Sequence, residues 1–188
     1  MSQKKPSWKD LKPIIEDLSS KEMLGLIRDL YNFCPENKEF FHVRFLVQGH
    51  LSNNHLKPYK DRIRIAVSPE EPWKDIQKLS GGRKAISDFK KVKGGLRDTL
   101  ELMLYYVQCG NDFTLEFGDI DEPFYDSMES MFSGIVKKLI QQKDSALAEE
   151  FMPKLEAEFE RVDGQMGWGY PDALRGWMEE LYKTFRPA

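Results

Sequence analysis

The sequence predicts an all-α protein of about nine to ten helices, on three observations. Apolar residues recur at spacings of three and four over most of the 188 residues. Ser, Asp, Gly and Pro stand where those segments begin and end. Only Arg62-Ile63-Arg64-Ile65 alternates as a strand would, and a stretch that short does not sustain a sheet alone. The helices are expected to form one domain over residues 1–188, as an irregular array of helical hairpins or an orthogonal bundle. With 40% apolar residues and a net charge of only -3, the chain lies outside the composition that stays disordered.

The elements follow in chain order. Trp8, Leu11, Ile15 and Leu18 define a short first helix, opened by Ser7 with Asp10 three residues on and bent or shortened at Pro13. Ser19 and Glu22 form a capping-box pair before a second helix whose apolar residues, from Met23 to Cys34, cover about half its circumference. A face that wide calls for two neighbours. Pro35 ends it, and the segment 36–51, with Phe40, Phe41, Val43 and Phe45, reads as a third, buried helix. A weaker helix is expected through Tyr59, Ile63 and Ala66. A short one around Trp73, Ile76 and Leu79 is expected to stop at Gly81-Gly82.

The helix from Arg83 to Lys93 is followed by an apolar one from Leu96 to Cys109, with Gly110 in the C-cap position. After a loop over 111–122, the clearest amphipathic segment carries Phe124, Met128, Phe132, Ile135 and Leu139 on one half of its surface. A helix over 144–162 is expected to kink or divide at Pro153, and Leu174, Met178 and Leu181 mark the last.

No uninterrupted apolar stretch suited to a signal peptide or a membrane span occurs, so a soluble, cytoplasmic protein without a membrane partner is expected. Cys34 and Cys109 lack CxxC spacing and the density of a disulfide scaffold, and read as reduced small hydrophobes. Neither GxSxG, HExxH, Walker A nor GxGxxG is present. The stretch Ser80-Gly81-Gly82-Arg83-Lys84 lacks the spacing and preceding strand of a phosphate loop. His42 and His50 would lie about 12 Å apart along one helix at 1.5 Å per residue, too far to share a metal ion. No cofactor and no metal site is expected.

The near-neutral total hides an asymmetry. Residues 56–97 hold 12 basic and 5 acidic side chains, whereas residues 98–163 hold 5 and 16. On the helix from Arg83 to Lys93, Ala85, Ile86 and Phe89 share one face; Arg83, Lys84, Lys90 and Lys91 share the other. Clustered cations create a potential that attracts phosphates or an acidic partner. The plainer reading is a solvated helix face, or one screened by the protein's own acidic segment. Nucleic acid is disfavoured by an isoelectric point near 5.7 but remains the alternative for the same patch.

Two further groups suggest chemistry. In Gly118-Asp119-Ile120-Asp121-Glu122, closely spaced carboxylates could bind a hard cation, with Tyr125 and Asp126 nearby in sequence. They fail the EF-hand template, and acids also belong at the N-terminus of the following helix, where they cap free N–H groups. Gly167-Trp168-Gly169-Tyr170-Pro171 is an aromatic turn from which Trp168 or Tyr170 could contact a ligand, or simply close the core.

Three stretches, Lys84-Ala85-Ile86-Ser87-Asp88-Phe89-Lys90-Lys91, Gly118 to Glu122 with Phe124 to Met131, and Gly167-Trp168-Gly169-Tyr170, resemble a family of small bacterial helical proteins known only as a domain of unknown function. The resemblance extends to the pattern from Leu18 to Tyr31 and spans nearly the whole chain. It implies a bacterial, cytoplasmic setting and supplies no activity, cofactor or catalytic residue. The leading expectation is a non-enzymatic protein that contacts a protein partner through Arg83, Lys84, Lys90 and Lys91. Nucleic-acid binding is the alternative, and a metal-assisted enzyme at Asp119 and Asp121 the third.

Overall fold

A computed structural model describes residues 6–45, 55–71, 77–92 and 95–186. Among them the structure is all-α, with nine helices and no strand. Contacts divide the chain into two compact units, Met1–Leu51 and Ser52–Ala188.

The first unit holds α1 (Trp8–Glu16), α2 (Ser20–Phe33) and α3 (Pro35–Phe45). Its helices start as the sequence predicts. The Ser7 N–H and hydroxyl donate to Asp10 at 2.7 and 2.8 Å. The Ser19 N–H donates to Glu22 at 2.8 Å while the Glu22 N–H returns a bond to the Ser19 hydroxyl at 3.3 Å, so orphan donors at the helix start are satisfied reciprocally. Pro13 lies inside α1 without ending it. α2 and α3 form a hairpin around Cys34. The Asn37 amide donates to the Leu30 carbonyl at 2.6 Å, and Tyr31 bonds His42 at 3.0 Å and meets the edge of Phe41.

The expected burial of this unit does not appear. Neither α1 nor α2 contains a buried residue. Trp8, Leu11, Ile14, Leu24, Leu26, Ile27, Leu30, Phe33, Phe40 and Phe45 are all exposed, Phe33 at 83%. The predicted third helix is assigned only over Pro35–Phe45, and the rest of that prediction, including His50, falls outside the described residues.

The second unit holds α4 (Lys57–Val67), α5 (Leu79–Lys91), α6 (Leu96–Phe117), α7 (Glu122–Gln142), α8 (Ser145–Val162) and α9 (Tyr170–Phe185). α6 touches α4, α5, α7 and α8, and α7 touches α9 as well. The core is therefore built on the α6–α7 pair. Leu100, Leu104 and Val107 of α6, Met128, Phe132, Ile135 and Leu139 of α7, Phe151 and Leu155 of α8, and Leu174 and Leu181 of α9 are all buried. Each such side chain stabilises the fold by about 1.5–3 kcal/mol when taken from water.

Several predicted boundaries move. Arg62-Ile63-Arg64-Ile65 is helical, with Ile63 and Val67 turned inward at helical spacing. The short helix expected around Trp73 falls largely outside the described residues. Gly81-Gly82 lies inside α5 rather than ending a helix: a Cβ on Gly82 would stand 2.8 Å from the Tyr106 ring, so the missing side chain lets α5 approach α6. Gly110 is likewise interior to α6, which runs on to Phe117 because Asn111, Phe113 and Thr114 beyond it are buried. The loop shrinks to residues 118–121. Pro153 does not divide α8; it and Glu149, whose carbonyl it leaves without an N–H, are both exposed residues.

Candidate functional site

The four cations singled out on α5 separate into two kinds. Arg83 is bound inward. Its guanidinium donates to the Ser127 carbonyl and hydroxyl at 3.0 Å each and lies over the Tyr106 ring, while the Tyr106 hydroxyl meets the Ser127 hydroxyl at 2.7 Å. Burial pushes the Tyr106 phenol up. Arg83 thus clamps α5 to α6 and α7, with little of its charge presented outward.

Lys84 and Lys91 are exposed, each at 72%, and reach Asp88 only at 3.5 and 3.3 Å. Asp88 already accepts from Arg62 of α4 at 2.8 Å, and that bond holds its carboxyl below the usual range. Lys90 has no carboxylate partner among the described residues. Partial burial lowers its pKa, and the nearby Lys138 of α7 lowers it further. Lys138 also lacks an acidic partner among the described residues. Asp88 is thus the one carboxylate paired with Arg62, Lys84 and Lys91, and Lys90 and Lys138 have none among the described residues, leaving a positive surface across α4, α5 and α7. Lys138 is the member that sequence reasoning missed, because helical periodicity places residues on a face without saying which distant helix lies beside it.

The acidic loop and the aromatic turn come together, as separate segments could not show. Asp119 accepts from the Tyr125 hydroxyl through one oxygen and from the Trp168 indole N–H at 2.9 Å through the other. Tyr125 and Tyr170 lie with ring centroids 5.5 Å apart, and the Tyr170 hydroxyl donates to Asn111 at 3.0 Å. Burial, with Asp119 second, pushes the Tyr125 phenol up to about 12; burial raises Tyr170 as well. Asp121 caps α7 by accepting from the Phe124 N–H at 3.0 Å, and Asp126 is exposed. Both Asp119 oxygens are engaged, and among the described residues no group of three or more His, Cys, Asp or Glu is placed to hold a metal ion. The arrangement is a latch between the α6–α7 and α8–α9 connections. Trp168 is held at φ +57° and stays 57% exposed, a backbone state that costs a non-glycine residue about 1 kcal/mol or more.

A third constellation lies outside the residues singled out from the sequence. Asp98, Glu101, Tyr105, Gln108 and Asp112 recur on α6 at spacings of three and four, a polar stripe on an otherwise apolar helix. Its first half faces an open cleft of about 470 Å³ lined by residues of α4, α6 and α8. There Asp98 meets His55 at 2.8 Å, and Glu101 meets Lys60 at 2.9 Å and Lys154 at 3.3 Å. Lys154 also reaches Glu150 at 3.2 Å, which accepts from Arg97 at 2.8 Å. Further along, Glu158 accepts from Gln108, Asn111 and Arg161, and Arg161 bridges to Asp112. Burial pushes the Tyr105 phenol up to about 12 and the Cys109 thiol up to about 11, so neither offers a reactive anion near neutrality. Cys34 and Cys109 are both free. Every cation named in this cleft has a carboxylate partner, so the cleft reads as a charge ladder joining α4, α6 and α8.

That ladder predicts a pH dependence. Arg97 holds the Glu150 carboxyl below its ordinary value. For Glu101, burial acts upward but Lys60 and Lys154 outweigh it, and the net shift is downward from 4.5. Depressed carboxylates contribute stability above their unfolded pKa and lose it as pH falls through the lower folded value. Lys154→Met should cost up to about 1 kcal/mol at neutral pH, since the pairs are partly solvated. In urea titrations the difference from wild type should shrink as pH falls below 4.5; a difference constant with pH would contradict the assignment.

Comparisons with protein-family models, with curated proteins and with solved structures gave no match to this chain. Among the described residues, no helix is long and apolar enough to cross a membrane.

Proposed function

We propose that the protein is a non-enzymatic interaction protein whose contact surface is the lysine face of α5, Lys84, Lys90 and Lys91, extended by Lys138 of α7, and that the partner is an acidic polypeptide. The observation that carries this reading is the excess, among the described residues, of five cations over one paired carboxylate on that surface, with Lys90 and Lys138 set near each other without an acidic partner among those residues. Arg83 leaves the contact set, because its hydrogen bonds to Ser127 hold it within the fold. Such a surface raises the local concentration of anionic partners and steers their approach. A bacterial, cytoplasmic setting belongs to the same proposal, on the resemblance carried by the three motif stretches.

The test uses labelled poly-L-glutamate and a labelled DNA duplex at low salt. Lys84→Glu, Lys90→Glu and Lys91→Glu combined should weaken poly-L-glutamate binding at least about tenfold, with the helical signal unchanged, since exposed substitutions alter stability little. Equal binding by wild type and variant would refute the reading. Tighter binding to the duplex, with affinity falling steeply as salt rises, would replace the acidic polypeptide by nucleic acid.

A further inference from the structure

The cleft between α4, α6 and α8 holds hydrogen-bond donors in excess. Four lysine or arginine side chains line it, Lys57, Lys60, Arg97 and Lys154, against three carboxylates, Asp61, Asp98 and Glu101. A carboxylate partner for each cation does not exhaust the cation, because a lysine carries about three N–H donors and an arginine about five, whereas an ionised carboxylate only accepts. Among the described residues Lys60 commits one N–H, to Glu101; Lys154 commits two, to Glu101 and Glu150; and Arg97 commits two, both to Glu150. The acceptors are the side that is used up: each oxygen of Glu101 and of Glu150 already takes at least one of these bonds.

The same carboxylates fix where the remaining donors stand. Glu101 bridges Lys60 to Lys154, and Glu150 bridges Lys154 to Arg97, so cationic heads from three helices are held side by side. Lys60 and Lys154 are 30% and 37% exposed, so salt screens them less than it would on an open surface. Burial pushes the Glu101 carboxyl up, yet Lys60 and Lys154 bring it down on balance, the mark of a positive local field. The first turns of α4 and α6 also border the cleft, with no side-chain bond at either N-cap, and add the positive ends of their dipoles.

We infer that this cleft binds a small molecule carrying a phosphate monoester. Its volume of about 470 Å³ lies within the roughly 300–1,000 Å³ of small-molecule sites. Donors that converge from three helices suit the three terminal oxygens of a phosphate better than the two of a carboxylate, and guanidinium pairs with phosphate in a fork. Leu56 and the Tyr105 ring supply the apolar wall for the organic part. The site shares no residue with the lysine face of α5, so either can fail without the other.

Glycerol 3-phosphate and inorganic phosphate, titrated into the full chain at constant ionic strength, should give saturable amide NMR shifts at the starts of α4 and α6 and around Lys154, with a dissociation constant of about 10 mM or tighter. Arg97→Gln, an exposed substitution that leaves the helical signal intact, and Lys60→Gln should each weaken binding at least about fivefold. Lys84→Gln, Lys90→Gln and Lys91→Gln combined remove more charge from elsewhere and should change it by less than about twofold. Shifts that do not saturate, a constant that neither Arg97→Gln nor Lys60→Gln alters, or equal weakening by the α5 variant would overturn the inference. So would succinate binding as tightly as glycerol 3-phosphate, or binding to phosphatidic acid vesicles without binding of glycerol 3-phosphate, which would make the ligand a carboxylate or a membrane surface.

Discussion

Glu158→Ala should lower the stability of the second unit by about 3–5 kcal/mol, the cost of breaking a buried charged network from one side. Glu158 is only 4% exposed, yet its two oxygens accept from Gln108 at 3.3 Å, from Asn111 at 2.9 Å and from Arg161 at 3.0 and 3.1 Å. Removing it leaves the Asn111 amide with an unmet donor while Tyr170 still bonds the Asn111 oxygen. The disturbance would thus run from α8 through α6 to α9. Glu158→Gln keeps the volume and an acceptor and should lose less, about 1–2 kcal/mol. Urea unfolding followed by far-UV circular dichroism reads both. Equal and small losses would mean that water, rather than these side chains, satisfies the network.

The second large effect is Gly110→Val, which should cost about 3 kcal/mol through overpacking. Helix propensity alone argues the other way, though by only a few tenths of the roughly 1 kcal/mol that separates glycine from alanine, since valine is itself a poor helix former. Packing wins here, because a Cβ at position 110 would stand 2.1 Å from the sulfur of Met128, itself fully buried between α6 and α7. Met128→Ala alone should cost about 2–5 kcal/mol through its cavity. Combined with Gly110→Val the losses should be less than additive, since the new methyls fill the space the thioether vacates. Additive losses in denaturant titrations would show that the glycine is not there for close approach.

Gly110 also shows why part of the fold was hidden in the sequence. A glycine after an apolar run is the usual mark of a helix end, and nothing local distinguishes that role from a close crossing of two helices. Gly81-Gly82 misled in the same way, for the Tyr106 ring that fills the space belongs to another helix. Features set within one turn were legible: the boxes of Ser7 with Asp10 and Ser19 with Glu22, and the cap at Asp121. So was the apolar face of α7, because Phe124, Met128, Phe132 and Leu139 are periodic whatever lies opposite.

Candidate sites divided along the same line. The lysine face of α5 was visible as periodicity, but the inward turn of Arg83 depends on Ser127, 44 residues away. Asp119 and Trp168, 49 residues apart, were read as unrelated features until the fold joined them. The α6 stripe did leave a signal, polar residues at three-and-four spacing inside an apolar helix. The spacing alone does not show that Lys60 of α4 and Lys154 of α8 lie against it.

If a partner sits on the surface made by Lys84, Lys90, Lys91 and Lys138, amide-resolved NMR titration of the full chain with poly-L-glutamate should show shifts confined to the C-terminal half of α5 and to α7 around Lys138, fading as salt screens the contact. Shifts centred instead on the cleft of His55, Glu101 and Lys154, or no shifts at low salt, would contradict that placement.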